Sequence, residues 1–206
     1  MQQKVIAIID ALKERYPDAP CALHYGTDYE LMIAVRLSAQ CTDARVNLVT
    51  PALFAAYPTL EAMASADIVH VEQLVHSCGF YKHKARDIVL ACQMLLRDYG
   101  GKVPGTMEEL LRLPGVGRKT ANLLLGDLYA TPGSVVCDTH CIRICGRLGL
   151  SQGKDPEKVE KQLRQILPPE ESSDFCHRIV LFGRDVCTAR SPKCEGCPLA
   201  PWCIGP

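Results

Sequence analysis

Lys119 is the residue of this sequence whose surroundings best suit covalent chemistry. It lies in Leu-Pro-Gly-Val-Gly-Arg-Lys-Thr-Ala-Asn at residues 113–122, where Pro114 fixes one backbone angle and Gly115 and Gly117 permit a tight turn. The predicted helix after the turn places Lys119 in its first turn, where the helix dipole disfavours a positive charge, and a neutral amine is a nucleophile. An exposed lysine in a first helical turn is also common, so Lys119 needs a partner group.

A second candidate site lies in Val-Cys-Asp-Thr-His at residues 136–140 and contains Asp138. Asp138 is predicted to be the N-cap of a helix that extends through Leu148, and a cap carboxylate remains exposed at the start of its helix. The cap role is therefore compatible with a functional role of the carboxylate. A third polar group, Ser-Ala-Gln-Cys-Thr-Asp at residues 38–43, places Gln40 at a predicted helix end.

Four cysteines near the C-terminus have the spacing of metal ligands. They are Cys187, Cys194, Cys197 and Cys203, in the pattern C-x6-C-x2-C-x5-C. Zinc and a [4Fe-4S] cluster both accept four thiolates, so the spacing leaves the two open. The residues between the first two ligands include Arg190 and Lys193, which suit contacts with phosphate groups. Of the other eight cysteines, Cys137, Cys141 and Cys145 recur at four-residue spacing and are predicted to be small buried residues on one helix face.

The segment before Lys119 predicts a helix, a glycine-rich hairpin and a second helix. Thr106 and Glu109 have the spacing of a capping box for a short helix ending near Leu113, and the second helix covers 118–125. The N–H groups at the start of a helix have no intrahelical partners and suit a phosphate oxygen. This unit therefore indicates a clamp for a nucleic-acid backbone.

Composition limits the partners and the location of the chain. The 206 residues carry a net charge of zero, so no overall positive field attracts nucleic acid. Binding would depend on local groups: Lys82, Lys84 and Arg86; Arg118 and Lys119; Arg190 and Lys193. The N-terminus lacks the apolar core of a signal peptide, and no apolar stretch approaches membrane-spanning length. We therefore expect a cytoplasmic protein without a membrane partner.

Helical periodicity extends through nearly the whole chain and predicts an all-α fold. An apolar stripe of Val5, Ile8, Ile9 and Leu12 ends before Pro17. Further helices are predicted over 29–39, 43–57 (interrupted at Pro51), 67–78 (closed by Gly79), 82–99 and 173–184, with one capped by Asp155.

Together these motifs resemble the endonuclease III family of DNA glycosylases. Leu-Ser-Ala-Gln at 37–40 and Gly-Phe-Tyr-Lys at 79–82 fall where that family has its loops into the DNA, and the similarity extends from about Tyr29 to Cys203. The resemblance implies a six-helix domain over 21–131, with a helix-hairpin-helix at about 106–125. It also implies a discontinuous cluster domain over 1–20 and 132–206, with an iron-sulfur loop at 187–203. The active site would lie in the cleft between them, and the metal would be a [4Fe-4S] cluster.

The resemblance also implies a bifunctional DNA glycosylase and AP lyase of base excision repair. Lys119 would displace an oxidised pyrimidine through a Schiff base and cleave the strand 3′ to the abasic site by β-elimination, with help from Asp138. Gln40 would fill the vacated space in the duplex. Other DNA-binding residues would be Phe80, Lys82, Gly115, Gly117, Arg118, His140, Arg143, Arg190 and Lys193. The partner would be double-stranded DNA containing damaged pyrimidines or abasic sites, and the enzyme would be a monomer.

Three departures from the family pattern accompany the match. Phe80 stands where an aliphatic wedge is expected, Arg178 follows His177 where a second histidine is frequent, and the stretch 126–137 is slightly longer. The alternatives are a monofunctional glycosylase, a non-catalytic DNA-binding module and a zinc-ribbon-like regulator. The presence of Lys119 and the short chain after Cys203 argue against the first.

Overall fold

The computed structural model describes residues 1–205, and every regular element in that range is helical. This confirms the predicted all-α class. Contacts divide the chain into two compact units, one of Met1–Cys21 together with the chain from Tyr129 onwards, the other of Ala22–Leu128. This division differs by one residue and by three from the range 21–131 given by the resemblance. Within residues 1–205, no helix has the length and apolar character needed to cross a bilayer.

The helices are numbered in chain order. They are α1 (Gln2–Arg15), α2 (Asp28–Ser38), α3 (Asp43–Ala56), α4 (Leu60–Ala64), α5 (Ile68–Val75), α6 (Tyr81–Asp98), α7 (Met107–Leu110), α8 (Arg118–Tyr129), α9 (Thr139–Arg147), α10 (Pro156–Ile166) and α11 (Ser172–Asp185). Three short 3₁₀ helices cover His76–Cys78, Pro169–Glu171 and Ala200–Trp202.

In the unit of residues 22–128, α6 is the central element and packs against α2, α4 and α5. Its buried face recurs at helical spacing along Ala85, Ile88, Cys92 and Leu95. Helix α2 is buried over almost its whole length and begins at a complete capping box, in which the Thr27 side chain accepts from the N–H of Glu30. The connections that follow α2 and precede α6 are therefore attached to buried helices.

The predicted interruption at Pro51 is wrong. Helix α3 continues from Asp43 to Ala56 with Pro51 inside it. The carbonyl that loses its helical N–H partner belongs to Asn47, which is partly exposed, and Pro51 itself is exposed, so one missing hydrogen bond is tolerated. Helix α5, by contrast, ends earlier than predicted, because residues 76–78 tighten into a 3₁₀ turn before Gly79 at φ +63°.

In the other unit, α11 packs against α1 and α9. The stripe of α1 that was predicted to be apolar is buried. Arg178 on α11 is 6% exposed and donates to the carbonyls of Tyr16 and Pro17 at 3.0 and 3.2 Å, and to Asp174 at 3.1 Å. Arg178, which departs from the family pattern, therefore connects the chain after α1 to α11 through hydrogen bonds.

Helices α7 and α8 enclose the predicted hairpin. The Thr106 side chain accepts from the N–H of Glu109 at 3.3 Å, which is one half of the predicted capping box. The Glu109 carboxylate accepts from the Thr106 hydroxyl at 2.6 Å and not from the Thr106 backbone N–H, so the other half does not form. Gly115, at φ +75°, lies directly over the ion pair of Arg36 and Asp87, whose side chains are 19% and 25% exposed. A Cβ atom at Gly115 would lie 2.6 Å from the Arg36 Cδ and 2.9 Å from the Asp87 Oδ2.

We expect Gly115→Ala to lower the free energy of unfolding by about 2–4 kcal/mol, because a side chain at this φ is strained and its Cβ overlaps Arg36. The change is measured by urea unfolding followed by circular dichroism. Gly117→Ala is the matched control: nothing lies within 4 Å of its added Cβ, and its φ is outside the left-handed region.

Comparing the two substitutions therefore separates the effect of the Cβ overlap and the positive φ at Gly115 from the effect of replacing any glycine of the hairpin by alanine. Equal losses for Gly115→Ala and Gly117→Ala would contradict the account. The loss at Gly115 should also shrink in an Arg36→Ala background, because the guanidinium that the Cβ would meet is absent there.

Candidate active site and metal centre

Lys119 is the second residue of α8 and its side chain is exposed. The start of α8 is fixed by the Ala121 N–H, which donates to the Gly117 carbonyl at 2.9 Å. Leu113 and Val116, which lie on either side of Gly115, are buried at 2% and 8% exposure and anchor the hairpin. Gly115 and Gly117 remain on the surface. The fold thus presents an amine and a glycine-rich backbone loop at one exposed helix start.

Asp138 belongs to the other unit and is the N-cap of α9, as the sequence predicts. Its Oδ1 accepts the Cys141 N–H at 2.7 Å. The three residues before it, Val135, Val136 and Cys137, are buried and hold the chain that leads to the cap. The carboxylate is therefore fixed in position at the start of a helix while remaining partly exposed.

His140 lies in the first turn of α9 and Arg143 about one turn later, with 3.1 Å between His140 Nδ1 and an Arg143 terminal nitrogen. Burial lowers the pKa of His140, which favours its neutral form. The same Arg143 nitrogen donates to the carbonyls of Gly183 at 3.3 Å and Cys187 at 2.8 Å. Arg143 therefore joins α9 to the end of α11 and to a cluster cysteine. The DNA contacts expected of His140 and Arg143 stay predictions.

Gln40 and Phe80 lie in two short connections of the unit of residues 22–128. Both are exposed, Phe80 at 65%, and both adopt left-handed backbone conformations, at φ +53° and +48°. Non-glycine residues adopt this conformation rarely, and it accompanies functional loops. Lys82 is exposed in the first turn of α6, and Arg118 is the partly exposed first residue of α8.

Lys84 does not belong to the surface group in which the sequence places it. Its side chain is 1% exposed, and Nζ donates to the carbonyls of Leu37 at 2.9 Å and Cys78 at 2.5 Å. Burial lowers the pKa of Lys84, and burial raises the pKa of the neighbouring Cys78 thiol to about 11. Lys84 is therefore a structural cation of the interior.

The four C-terminal cysteines line one cavity, together with Arg147, Val186, Pro192 and Lys193. All four are free thiols, and Arg147 donates to the Cys187 Sγ at 3.2 Å and to the Thr188 carbonyl at 3.1 Å. Four convergent thiols with a cationic N–H donor at one sulfur suit a negatively charged iron-sulfur centre. Arg190 and Lys193 are exposed in the loop, with Lys193 Nζ 3.6 Å from Asp185.

A second group of thiols lies inside the same unit. Cys137, Cys141 and Cys145 are buried, as predicted, and so is Cys176, with 3.9 Å between the sulfurs of Cys141 and Cys145. Hydrogen bonds from the neighbouring thiols, together with burial, raise the pKa of Cys141 well above its usual value, so it stays protonated. No set of three or more His, Cys, Asp or Glu side chains in residues 1–205 is arranged to hold a single metal ion.

Sequence reasoning missed the roles of Lys84 and Arg147. Lys84 lies four residues before Ile88 and eight before Cys92, so the apolar periodicity of α6 already indicates the buried face. Arg147 carries no comparable signal, because the approach of its guanidinium to Cys187 depends on the tertiary contact of α9 with the end of α11.

Two family profiles match the chain. Residues 33–169 match the HhH-GPD superfamily of base excision DNA repair proteins, and residues 187–203 match the iron-sulfur binding domain of endonuclease III. The second match covers the four cysteines from first to last, and the chain therefore carries a [4Fe-4S] cluster.

Relatives that match over nearly the whole chain support the same family assignment. The chain is 45% identical to endonuclease III of Synechocystis sp. over 98% of its length and 92% of the relative. It is 42% identical to endonuclease III in a non-covalent DNA complex, with a TM-score of 0.92 and 99% and 95% of the two chains covered. A trapped covalent intermediate of endonuclease III with DNA gives the same identity and TM-score, at 99% and 96% coverage. The chain belongs to the HhH-GPD superfamily of base excision DNA repair proteins, and within it to the endonuclease III family of DNA glycosylases and AP lyases.

Proposed function

We propose that this protein removes oxidised pyrimidines from double-stranded DNA and then cleaves the strand, acting as a monomer on the chromosome in the cytoplasm. The observation that carries the proposal is the exposed amine of Lys119 at the start of α8, directly after a surface glycine hairpin. A relative that is 42% identical over 99% of this chain has been trapped as a covalent intermediate with DNA.

Backbone recognition is assigned to the helix-hairpin-helix. The N–H groups at exposed Gly115 and Gly117 and at the start of α8 suit phosphate oxygens, and the positive end of the helix dipole favours the same anion. Arg118, Lys82, Arg190 and Lys193 add positive charge at exposed or partly exposed positions. Because the whole chain is neutral, these local groups must supply the attraction to DNA.

Base removal requires the damaged nucleotide to leave the stack before its sugar can be attacked. Gln40, exposed after α2, fills the vacated space and offers amide groups to the orphaned base. Phe80, exposed at the start of α6, enters beside it and stacks on the neighbouring bases. An aromatic ring at this position stabilises an opened duplex through stacking.

The covalent steps use the amine of Lys119. Neutral Nζ attacks C1′, the N–C1′ bond forms, and the glycosidic bond breaks as the base leaves with its electron pair. Opening of the sugar ring gives a Schiff base between Nζ and C1′. Loss of a C2′ proton then expels the 3′ phosphate by breaking the C3′–O bond, which nicks the strand, and water finally releases the lysine.

Asp138 acts on the protons and charges of this sequence. Its carboxylate accepts a proton from the lysine ammonium and stabilises positive charge that develops on the sugar. The hydrogen bond from the Cys141 N–H holds one carboxylate oxygen, so the group is fixed before DNA binds. Pre-orientation of this kind reduces the reorganisation required at the transition state.

The iron-sulfur centre is held by Cys187, Cys194, Cys197 and Cys203. When bound, the cluster cross-links the C-terminal loop and so fixes the positions of Arg190 and Lys193. Arg147 supports the Cys187 sulfur through an N–H donor, and Arg143 supports the Cys187 carbonyl. No step of the base-removal chemistry passes through the metal.

Replacing the nucleophile tests the proposal directly. Lys119→Gln should lower base excision and strand cleavage by more than about 1000-fold, because no amine remains to attack C1′. Borohydride should trap wild-type protein on duplex DNA containing thymine glycol and should not trap the variant. Binding of the same duplex, measured by fluorescence anisotropy, should stay close to wild type.

Lys102→Gln is the matched control, since it removes an exposed lysine of the same unit outside α8 and should leave trapping unchanged. Strand cleavage retained by Lys119→Gln would exclude Lys119 as the nucleophile. Alkali-labile sites without any trapped wild-type protein would instead indicate a monofunctional glycosylase. Binding without either product, on thymine glycol and abasic-site DNA alike, would indicate a binding module.

The role of Asp138 can be separated from its role as a cap. Asp138→Asn keeps an oxygen that accepts the Cys141 N–H, so stability should change by less than about 1 kcal/mol, while excision should slow by about 100-fold. Asp155→Asn is a matched change at the N-cap of α10, where Asp155 accepts the Lys158 N–H at 2.8 Å, and should leave excision unchanged. Similar rates for Asp138→Asn and wild type would remove the carboxylate from the mechanism.

The thiolate support from Arg147 gives a third test. Arg147→Met should leave the four cysteines able to bind iron but should speed loss of the cluster to a chelator by about 10-fold. The decay of the yellow-brown visible absorbance and the iron content measure this rate. Lys154→Met removes an exposed charge from the same unit and serves as control. Identical decay of Arg147→Met and wild type would mean that the N–H donor does not protect the cluster.

A further inference from the structure

Lys84 is a buried cation that lies between the segment carrying Gln40 and the segment carrying Phe80. Its Nζ donates to the Leu37 carbonyl at 2.9 Å and to the Cys78 carbonyl at 2.5 Å. Leu37 precedes Gln40 by three residues, and Cys78 precedes Phe80 by two. One amine therefore joins the two connections that present these exposed side chains.

The backbone of Lys84 adds a third link. Its N–H donates to the Phe80 carbonyl at 3.1 Å, and Phe80 is the N-cap of α6. The position of Phe80 is thus fixed twice by the same residue, once through the main chain and once through the side-chain bond to Cys78. The segment that carries Gln40 is joined to Lys84 through the bond to the Leu37 carbonyl.

The carbonyls that Lys84 contacts lie at helix ends. Leu37 is in the last turn of α2, and Cys78 is the last residue of the 3₁₀ helix. Carbonyls at helix ends lack intrahelical partners, and a cation is favoured beside them. The other groups acting on the ammonium are the Cys41 and Cys78 thiols and the Arg36 guanidinium, so two carbonyl dipoles take the place of a carboxylate partner.

The two connections need such support because both contain strained backbone. Gln40 and Phe80 adopt left-handed conformations at φ +53° and +48°, and Gly79 between Cys78 and Phe80 is at φ +63°. Non-glycine residues remain in this conformation only where surrounding interactions hold them. Lys84 is positioned to provide these interactions to both connections at once.

We propose that Lys84 is a positioning residue for base extrusion, which holds the Gln40 and Phe80 segments at a fixed separation so that both side chains enter the duplex together. The inference rests on the function proposed above. Lys84 is enclosed by protein and takes no part in Schiff-base chemistry, so its effect is confined to steps that require insertion into a duplex.

Lys84→Met tests this role, because methionine retains the apolar stem but donates no hydrogen bond. Two rates are compared under single turnover: excision of thymine glycol from a duplex, and cleavage of a single-stranded oligonucleotide that carries an abasic site. The second substrate contains no stacked partner to displace. The ratio of duplex to single-strand rate should fall by about 10- to 100-fold, as expected for misplaced inserting groups.

Leu95→Ala is the matched control. It empties a fully buried position on the same helix, about three turns after Lys84, and destabilises the unit without touching the two connections. It should leave the ratio of the two rates unchanged. A 2-aminopurine opposite the lesion should also brighten more slowly with Lys84→Met than with wild type or Leu95→Ala, because the duplex opens more slowly.

Lys84→Gln covers the case in which the methionine variant does not fold, since its amide still donates but is too short to bridge both carbonyls. It should lower the same ratio by a smaller factor. An unchanged ratio in a folded Lys84 variant, or failure of both variants to fold, would overturn the positioning role in favour of a purely structural one. Absence of both wild-type activities would instead contradict the proposed function.

Discussion

The structure depends on one constraint, that the backbone groups left unpaired at helix ends must find partners. Lys119 is in the first turn of α8, Asp138 caps α9, Phe80 caps α6, and Gln40 follows the end of α2. Each of these four side chains is therefore placed by a helix terminus. An N-terminus supplies free N–H groups for phosphate or carboxylate, and a C-terminus supplies carbonyls that require donors.

Long cationic side chains satisfy the carbonyl half of this constraint. Lys84 bonds the ends of α2 and of the 3₁₀ helix, and Arg178 bonds the carbonyls after α1. Arg143 and Arg147 bond the carbonyls at the end of α11 and in the cluster loop. Burying a cation is costly unless donors are satisfied, and hydrogen bonds to charged groups are stronger than neutral ones. Because each of these cations has several N–H donors, one side chain can connect two elements of its unit.

Local patterns in the sequence predict the features that depend on neighbouring residues. The caps at Asp138 and Asp155 and the buried stripe of α1 were predicted because each rule involves residues within one or two turns. The C-terminal cluster was predicted because its four ligands lie within one short loop. The interruption at Pro51 was wrong, since tolerance of proline depends on which face of α3 meets solvent.

Features that depend on distant residues could not be predicted in this way. Lys84 was assigned to the surface by its charge although its spacing places it on the buried face of α6, and only the positions of Leu37 and Cys78 show why a cation is accepted there. The support of Gly115 by Arg36 and Asp87 likewise joins residues that are up to 79 positions apart. Spacing identifies a buried position, but the partner that makes a charge acceptable comes from the tertiary fold.

The distribution of backbone strain separates the residues proposed for the chemistry from those proposed to open the duplex. The positive-φ residues other than glycine in the described chain are Gln40, Phe80 and Ala130, whereas Lys119 and Asp138 are in ordinary conformations. The amine and the carboxylate proposed for the chemistry each lie at a regular helix start, where the backbone is unstrained. Extruding a stacked base costs a few kcal/mol, so the inserting groups must resist being pushed back. A left-handed turn held by a buried lysine is a stiff support, which suits the insertion proposed for Gln40 and Phe80, whereas Ala130, directly after α8, has no role in that proposal.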